Sequence, residues 1–440
     1  MSSAQDFYRH FSFESFSQFL SQTTLENIRQ KMKPNSRERC LGLAGFIWLG
    51  LLVAANTSLP SIQGIFDLAG QLPGSINSVS LVSVSAFCQY RAAFSVKVML
   101  YLWHSLLGHF QNRFKPEDYA WHGLKLRALD ATSLNLPEKL YPYFGASGGL
   151  GPGPVQGFLM VLYDLTWQVP LAFRMRPADD EGRPHLVLKH LMHHLKMGEL
   201  LLVDAGLYSL EIFCLLLKQN IHFIIPMPAR AKPKLIKRFS AFDGLYQITA
   251  SSYWKDNSLV LKQLMVRIIT YQKNGFRTRR LLTSLIDEQL YPADEIVQIY
   301  HRRWDIETFF REFKHTLQVT HWHAKTLPAI YSELLFQMLL VTLTRLVMSD
   351  AATCAGILPR QISFGRTVAK VKQVLSVIVA IPVSAWQKVY KELIEQIKKY
   401  QIDVRPERSY ERDIGKRRKR SRSLTLLLVY WFRLMEKKYA

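Results

Sequence analysis

The chain has 440 residues, 48% apolar and 12% aromatic, with 57 Lys and Arg against 34 Asp and Glu, a formal charge of +23. That apolar content supplies a sizeable core and excludes an intrinsically disordered chain, while the positive excess points to a polyanion, nucleic acid above all, with an acidic membrane surface as the competitor. Cys40, Cys88, Cys214 and Cys354 stand far apart without a CxxC pair, which excludes a disulfide framework and a thiolate metal site.

The opening MSSAQDFYRHFSFESF lacks the basic start and apolar run of a secretion signal, so a cytoplasmic location is expected. Residues 1–118 are predicted to form a helical N-terminal domain. Apolar positions recur there at three and four, as in Phe13, Phe16 and Leu20 or Leu25, Ile28 and Met32. Arg29, Lys31, Lys33, Arg37 and Arg39 cluster in it and suit either phosphate contacts or a solvated face. The apolar runs Leu41–Ala55, Leu334–Val347 and Leu424–Phe432 fall short of the roughly 20 residues that span a bilayer. The second also carries Gln337 and Arg345. All three are predicted as buried core helices, with no membrane span.

From Leu124 the pattern changes to strands. Leu124–Asn135, Val155–Leu165 and Gln168–Met175 read as three antiparallel strands, with a Gly-rich loop between Leu140 and Pro154. His185–Met197 is predicted as a helix, Leu200–Asp204 as a buried strand, Tyr208–Lys218 as a helix and His222–Pro226 as another buried strand. A meander followed by βαβ units is the layout of a ribonuclease H-like α/β core, expected over residues 119–330. At about 227–292 the helical pattern fades. Gly244–Thr249, Ser258–Tyr271 and Arg277–Leu285 are strand-like, predicting a β-rich insertion. Helices resume at Asp294. Residues 331–440 are expected to form a helical C-terminal region with a polybasic segment at 405–423, nine basic residues against three acidic.

Asp130 lies in the first strand among the small residues Ala128, Ala131 and Thr132, and Asp204 ends the run LLLVD. Ligands of open α/β sheets collect beyond the carboxyl ends of strands, so both acids are candidates for chemistry, with a capping role as the alternative. Glu307 is the third. On one continuous helix with Tyr300 at zero, Arg303 falls at roughly −60°, Glu307 at roughly −20° and Lys314 at roughly −40°, one narrow face. Asp305 and Glu312 fall at roughly 140° and 120°, pointing elsewhere. A surface ion-pair array would show the same four-residue spacing.

The segment YHRRWDIETFFREFK resembles the signature helix of DDE transposases of the insertion sequence 4 family: Tyr, two residues, Arg, three residues, Glu, six residues, Lys. Tyr300, Arg303, Glu307 and Lys314 match it in type and spacing. VSVSAFCQYRAAF, LRALDATSLNLPE and LLLVDAGLYS are similar to family segments upstream, the last two bearing its first and second Asp. Two positions depart: Ala131 stands where the family usually has Gly, and Ala205 where it has Arg.

The resemblance implies a ribonuclease H-like core split by a β-domain. It also implies that Asp130, Asp204 and Glu307 hold catalytic Mg²⁺, with Mn²⁺ able to substitute, while Tyr300, Arg303 and Lys314 contact phosphate. The implied partners are double-stranded DNA, as transposon ends and target, and a second copy of the chain in a synaptic homodimer. The implied reaction is cut-and-paste, with 3′ ends joined to target DNA. Relatives with this motif form a hairpin in which a flipped base stacks on an aromatic. Trp254, in the β-insertion, is the candidate stacker, although a Trp packed on a strand face fits the same position.

Two other readings stay open on the sequence: a DNA-binding relic without activity, and a polybasic protein held at a membrane surface. His190 and His194 have the spacing of a zinc helix, but Leu191 follows His190 where HExxH needs Glu, so the histidines are expected to be a surface cluster.

Overall fold

The computed structural model describes residues 43–59, 61–70, 83–93, 96–111, 120–145, 153–177, 190–228, 231–249, 263–273, 277–319, 321–377 and 385–403. Trp254, His185, the basic cluster before Cys40, the polybasic segment 405–423 and the apolar run from Leu424 lie outside the described residues.

The fold is mixed α/β. Helices α1 (Leu43–Ala55), α2 (Ile62–Gly70), α3 (Val84–Ala93) and α4 (Val96–Gln111) precede the sheet. Strands β1 (Lys125–Asn135), β2 (Gln156–Asp164) and β3 (Val169–Pro177) form an antiparallel meander. β4 (Glu199–Val203) and β5 (His222–Pro226) lie parallel to β1, joined by α5 (Leu210–Lys218). All five residues of β4 are buried, because a central parallel strand has both faces covered. Buried Arg127 ties β1 to both neighbours, pairing with Asp164 of β2 and, at 2.7 Å, with Glu199 of β4.

The β-rich stretch adds β6 (Lys234–Ser240), β7 (Asp243–Thr249), β8 (Gln263–Tyr271) and β9 (Arg279–Thr283). β9 returns antiparallel onto β5, giving one nine-stranded sheet in the order β3-β2-β1-β4-β5-β9-β8-β7-β6. The sequence pattern shows no strand at β6, because an exposed edge strand has no buried face to impose alternation. Its Lys234, Lys237 and Arg238 blunt the edge against further pairing.

Then come α6 (Ala293–His301), α7 (Trp304–Arg311), the long α8 (Leu327–Ala355), α9 (Phe364–Val377) and α10 (Trp386–Ile397). By length and composition α8 could cross a membrane, but 78% of its apolar window is buried inside the protein. Much of that cover comes from the first helices. Phe46 of α1 meets Phe336 edge to face at 5.6 Å, Gln337 donates to the Ala54 carbonyl at 3.1 Å, and Trp103 of α4 donates to Thr342 at 3.0 Å. Arg91 of α3 pairs with Glu333 at 2.6 Å.

One local expectation is met only in part and one needs correction. Of the helix predicted at His185–Met197, which is described from His190 onward, His190 and Leu191 are helical and Met192–His194 is a 3₁₀ segment that ends it short of Met197. Leu195 is extended after it and Gly198, at φ +79°, turns the chain into β4. The single helix predicted through Tyr300 and Lys314 is broken. α6 ends at His301, Arg302 and Arg303 form a turn, α7 runs to Arg311, and Glu312–Thr316 is a π-helical turn. Hydrogen bonds from Arg302 to Ile299 and from Arg303 to Tyr300 tighten the chain at the break, and the π turn shifts the angular register beyond it.

Candidate active site

The parallel pairing of β1 and β4 ends at Leu129 opposite Val203. Asp130 and Asp204 are each one step beyond, on neighbouring strands that pass about 4.8 Å apart. Asp204 immediately precedes the 3₁₀ turn Ala205–Leu207, in the capping position, yet its side chain makes no capping hydrogen bond. The capping role weighed for this acid is therefore absent, and its carboxylate is exposed beyond the strand end. The Asp130 carboxylate accepts the Ala131 amide at 2.8 Å, so Ala in place of the family's usual Gly leaves this bond intact.

Arg303 brings the helical residues to the strands. Its guanidinium is buried, donating through Nη1 to Asp130 Oδ2 at 2.9 Å and through Nη2 to Glu307 Oε1 at 2.5 Å. One side chain thus bridges a carboxylate from β1 and one from α7. Burial lifts the Asp130 carboxyl above its ordinary value; Asp204 and Glu307 add to the rise, while the Ala131 amide and Arg303 oppose it. Asp204 and Glu307 are thus both near enough to Asp130 to act on it.

Tyr300 is buried, and its hydroxyl donates to the Val203 carbonyl at 3.3 Å, fastening α6 to the strand end that carries Asp204. Burial raises its phenol above the ordinary range. Lys314 lies half-buried in the π turn, its ammonium pulled below its usual value by burial. Among the described residues it has no ion pair, and no hydrogen bond joins it to the Arg303 cluster. Asp305 pairs with Arg302 at 3.5 Å, and Glu312 pairs with buried Arg345 of α8. Neither acid joins the cluster, the outcome expected of them although the continuous helix assumed for it is broken.

Sequence reasoning did not foresee Arg345, Tyr163 or the bridging use of Arg303. Tyr163 of β2 lies against Phe309 of α7 with centroids 5.0 Å apart, so together with Arg345 it seats the Glu307 segment on the sheet. The signal available for Arg345 was its charge inside an apolar helix, which demands a buried partner.

Two aspartates where a parallel strand pairing stops, one of them tied through an arginine to a glutamate on a following helix, lie where α/β proteins place their ligand sites. Residues 121–343 match the model of the transposase DDE domain, and the chain belongs to that family. It is a transposase of the insertion sequence 4 type. It is 24% identical over 399 residues to the transposase InsG for insertion sequence element IS4 of Escherichia coli (strain K12), covering 87% of each chain. It is 23% identical over 375 residues to the transposase for insertion sequence element IS231B of Bacillus thuringiensis subsp. berliner, covering 73% of this chain and 76% of that one. Among solved structures, a piggyBac transposase synaptic complex with hairpin DNA is similar at TM-score 0.43 and 9% identity, over 91% of this chain and 85% of that one.

Members of the DDE family use a divalent metal ion. The donor chemistry here fits one, since hard oxygen ligands from two Asp and one Glu suit Mg²⁺. The arrangement of the side chains is less simple: among the described residues no three acidic, His or Cys groups are close enough to share an ion. Arg303 occupies an oxygen of Asp130 and an oxygen of Glu307.

Proposed function

We propose that the chain cleaves DNA at the ends of its insertion sequence by metal-dependent phosphodiester cleavage and joins the freed 3′ ends to target DNA. The observation that carries this reading is the pair Asp130 and Asp204 just beyond the point where the parallel pairing of β1 and β4 stops, with Glu307 drawn to Asp130 through Arg303. Asp130, Asp204 and Glu307 would hold the metal. When bound, a divalent ion or an ion pair supplies charge stabilisation to the attacking and leaving oxygens.

The chain's own residues then position the scissile strand. Arg303 offers a planar fork for two phosphate oxygens, and Lys314 a point charge. Tyr300 keeps α6 registered on β4 through the Val203 carbonyl, so that Arg303 meets the strand ends at a constant height. The +23 charge draws the duplex to the protein. Residues 119–330 serve as the ribonuclease H-like catalytic unit with the insertion at about 227–292, between a helical region 1–118 and a helical basic region 331–440. Supporting the core assignment, the order β3-β2-β1-β4-β5, antiparallel then parallel, is the layout expected of it. Two copies act together, one at each transposon end, on DNA in the bacterial cytoplasm.

The test is cleavage of a labelled transposon-end duplex, with nicked, hairpin and joined products resolved on a denaturing gel. Asp130→Asn, Asp204→Asn and Glu307→Gln should each abolish cleavage and leave end binding intact, because losing a metal ligand disables the chemistry while the basic surface persists. A variant that cleaves at the wild-type rate removes its residue from the site. A wild-type protein that binds ends without cutting them in Mg²⁺ or Mn²⁺ would be the inactive relic.

A further inference from the structure

We infer that Arg303 is the resident counter-ion of the carboxylate site, and that a divalent ion enters by displacing its guanidinium, which is thereby freed to hold a DNA phosphate. This rests on the assignment of the three carboxylates made above. Arg303 uses different nitrogens for acids on different elements: Nη1 for Asp130 at 2.9 Å and Nη2 for Glu307 at 2.5 Å. Only 7% of the residue is exposed. Among the described residues its Nε is buried without a hydrogen-bond partner, and beyond the two carboxylates the guanidinium meets only the Tyr300 phenol and the Trp304 ring, 5.7 Å from its centroid, so its two charge-assisted contacts are the ones an arriving cation would contest.

The guanidinium and a divalent ion cannot use the same oxygens. A carboxylate oxygen that accepts a short N–H bond has its charge and a lone pair engaged, and a cation arriving beside the guanidinium meets like-charge repulsion. This explains why a donor set of suitable chemistry does not form a three-acid cluster here: Arg303 stands between Asp130 and Glu307. Asp204, whose side chain makes no capping bond, is the acid left to receive the ion first. Arg303 itself stands at the turn between α6 and α7, at the N-terminal boundary of α7. Its side chain can exchange partners there without unwinding either helix.

Displacement couples metal to DNA. A phosphate that receives the released guanidinium stabilises the displaced state, and by linkage a bound ion strengthens the hold on that phosphate by the same factor. The free protein should therefore bind metal weakly and the DNA complex more tightly.

The experiment measures Mn²⁺ binding to the full-length protein without DNA, by calorimetry and by electron paramagnetic resonance of the free ion. Arg303→Gln removes the counter-ion and should bind Mn²⁺ about tenfold or more tightly than wild type, the scale on which a charge at this distance moves an ionic equilibrium. Arg303→Lys keeps the charge and should stay near wild type. Equal affinity in wild type and Arg303→Gln overturns the proposal. Asp130→Asn and Asp204→Asn identify the ion measured: if both bind Mn²⁺ like wild type, the carboxylate assignment itself fails. If they lose it while Arg303→Gln is unchanged, the site stands and the displacement falls.

A readout on wild type is independent of any variant's folding. Arg303 should resist modification by a dicarbonyl reagent in EDTA and become reactive in Mn²⁺, read by peptide mass spectrometry. Equal reactivity in both conditions contradicts displacement.

Discussion

His194 shows how far burial controls single charges in this chain. Its ring lies 3.9 Å from that of His193 and 5.5 Å from that of His104, in a cavity of about 990 Å³ also lined by His190, Lys97 and Arg174. Burial, with His193 and His104 adding to it, lowers the imidazole from 6.5 to about 4. The unfolded chain then takes up a proton that the folded one refuses, so this residue costs stability as pH falls through 6.5, levelling only near 4. Relative to wild type, His194→Phe should gain melting temperature between neutral pH and the lower end of that window; parallel melting curves would contradict this. At the same scale, Asp130, Asp204 and Glu307 were legible as candidates from strand position and from the match to the signature helix, although capping and an ion-pair array suited the same positions, and the i,i+4 pair of Arg303 with Glu307 is indeed formed. The bridging by Arg303 and the bond from Tyr300 to Val203 were not legible. An ideal helical wheel carries no sign of the break at Arg302 and Arg303.

Among the elements, β1 to β5, α5 and the strands β7 to β9 follow from periodicity, since each has a buried side whose apolar residues mark it. The failures are elements without that constraint. β6 is exposed along its length, and the π turn at Glu312–Thr316 opens on Glu312, whose partner Arg345 lies more than 30 positions away. Gly50 answers a constraint between elements: a Cβ there would overlap the Phe336 ring, so α1 can approach α8 closely only without a side chain. Gly50→Ala should therefore destabilise the protein by about 1–3 kcal/mol, the usual cost of overpacking a core, despite the better helix propensity of Ala. Denaturant unfolding would measure it. An unchanged or raised midpoint would mean that the two helices are not in this contact.

For the whole molecule, one sheet carries the two candidate aspartates at its centre, while helices from both ends of the described chain meet along α8. That meeting was not legible, because no local pattern links residues nearly 300 positions apart such as Ala54 and Gln337. What charge and core size did indicate, a large folded protein acting on nucleic acid, agrees with membership of the transposase DDE domain family. The central claim is that these strand-end carboxylates hold the metal during DNA cleavage. Asp204 offers the most direct test, since Arg303 pairs with the other two acids and not with it. Asp204→Cys exchanges a hard oxygen ligand for a soft thiolate, which Mn²⁺ accepts more readily than Mg²⁺ does. Cleavage of a transposon-end duplex by this variant should be lost in Mg²⁺ and recovered in Mn²⁺; cleavage at the wild-type rate in Mg²⁺ would show that Asp204 holds no metal.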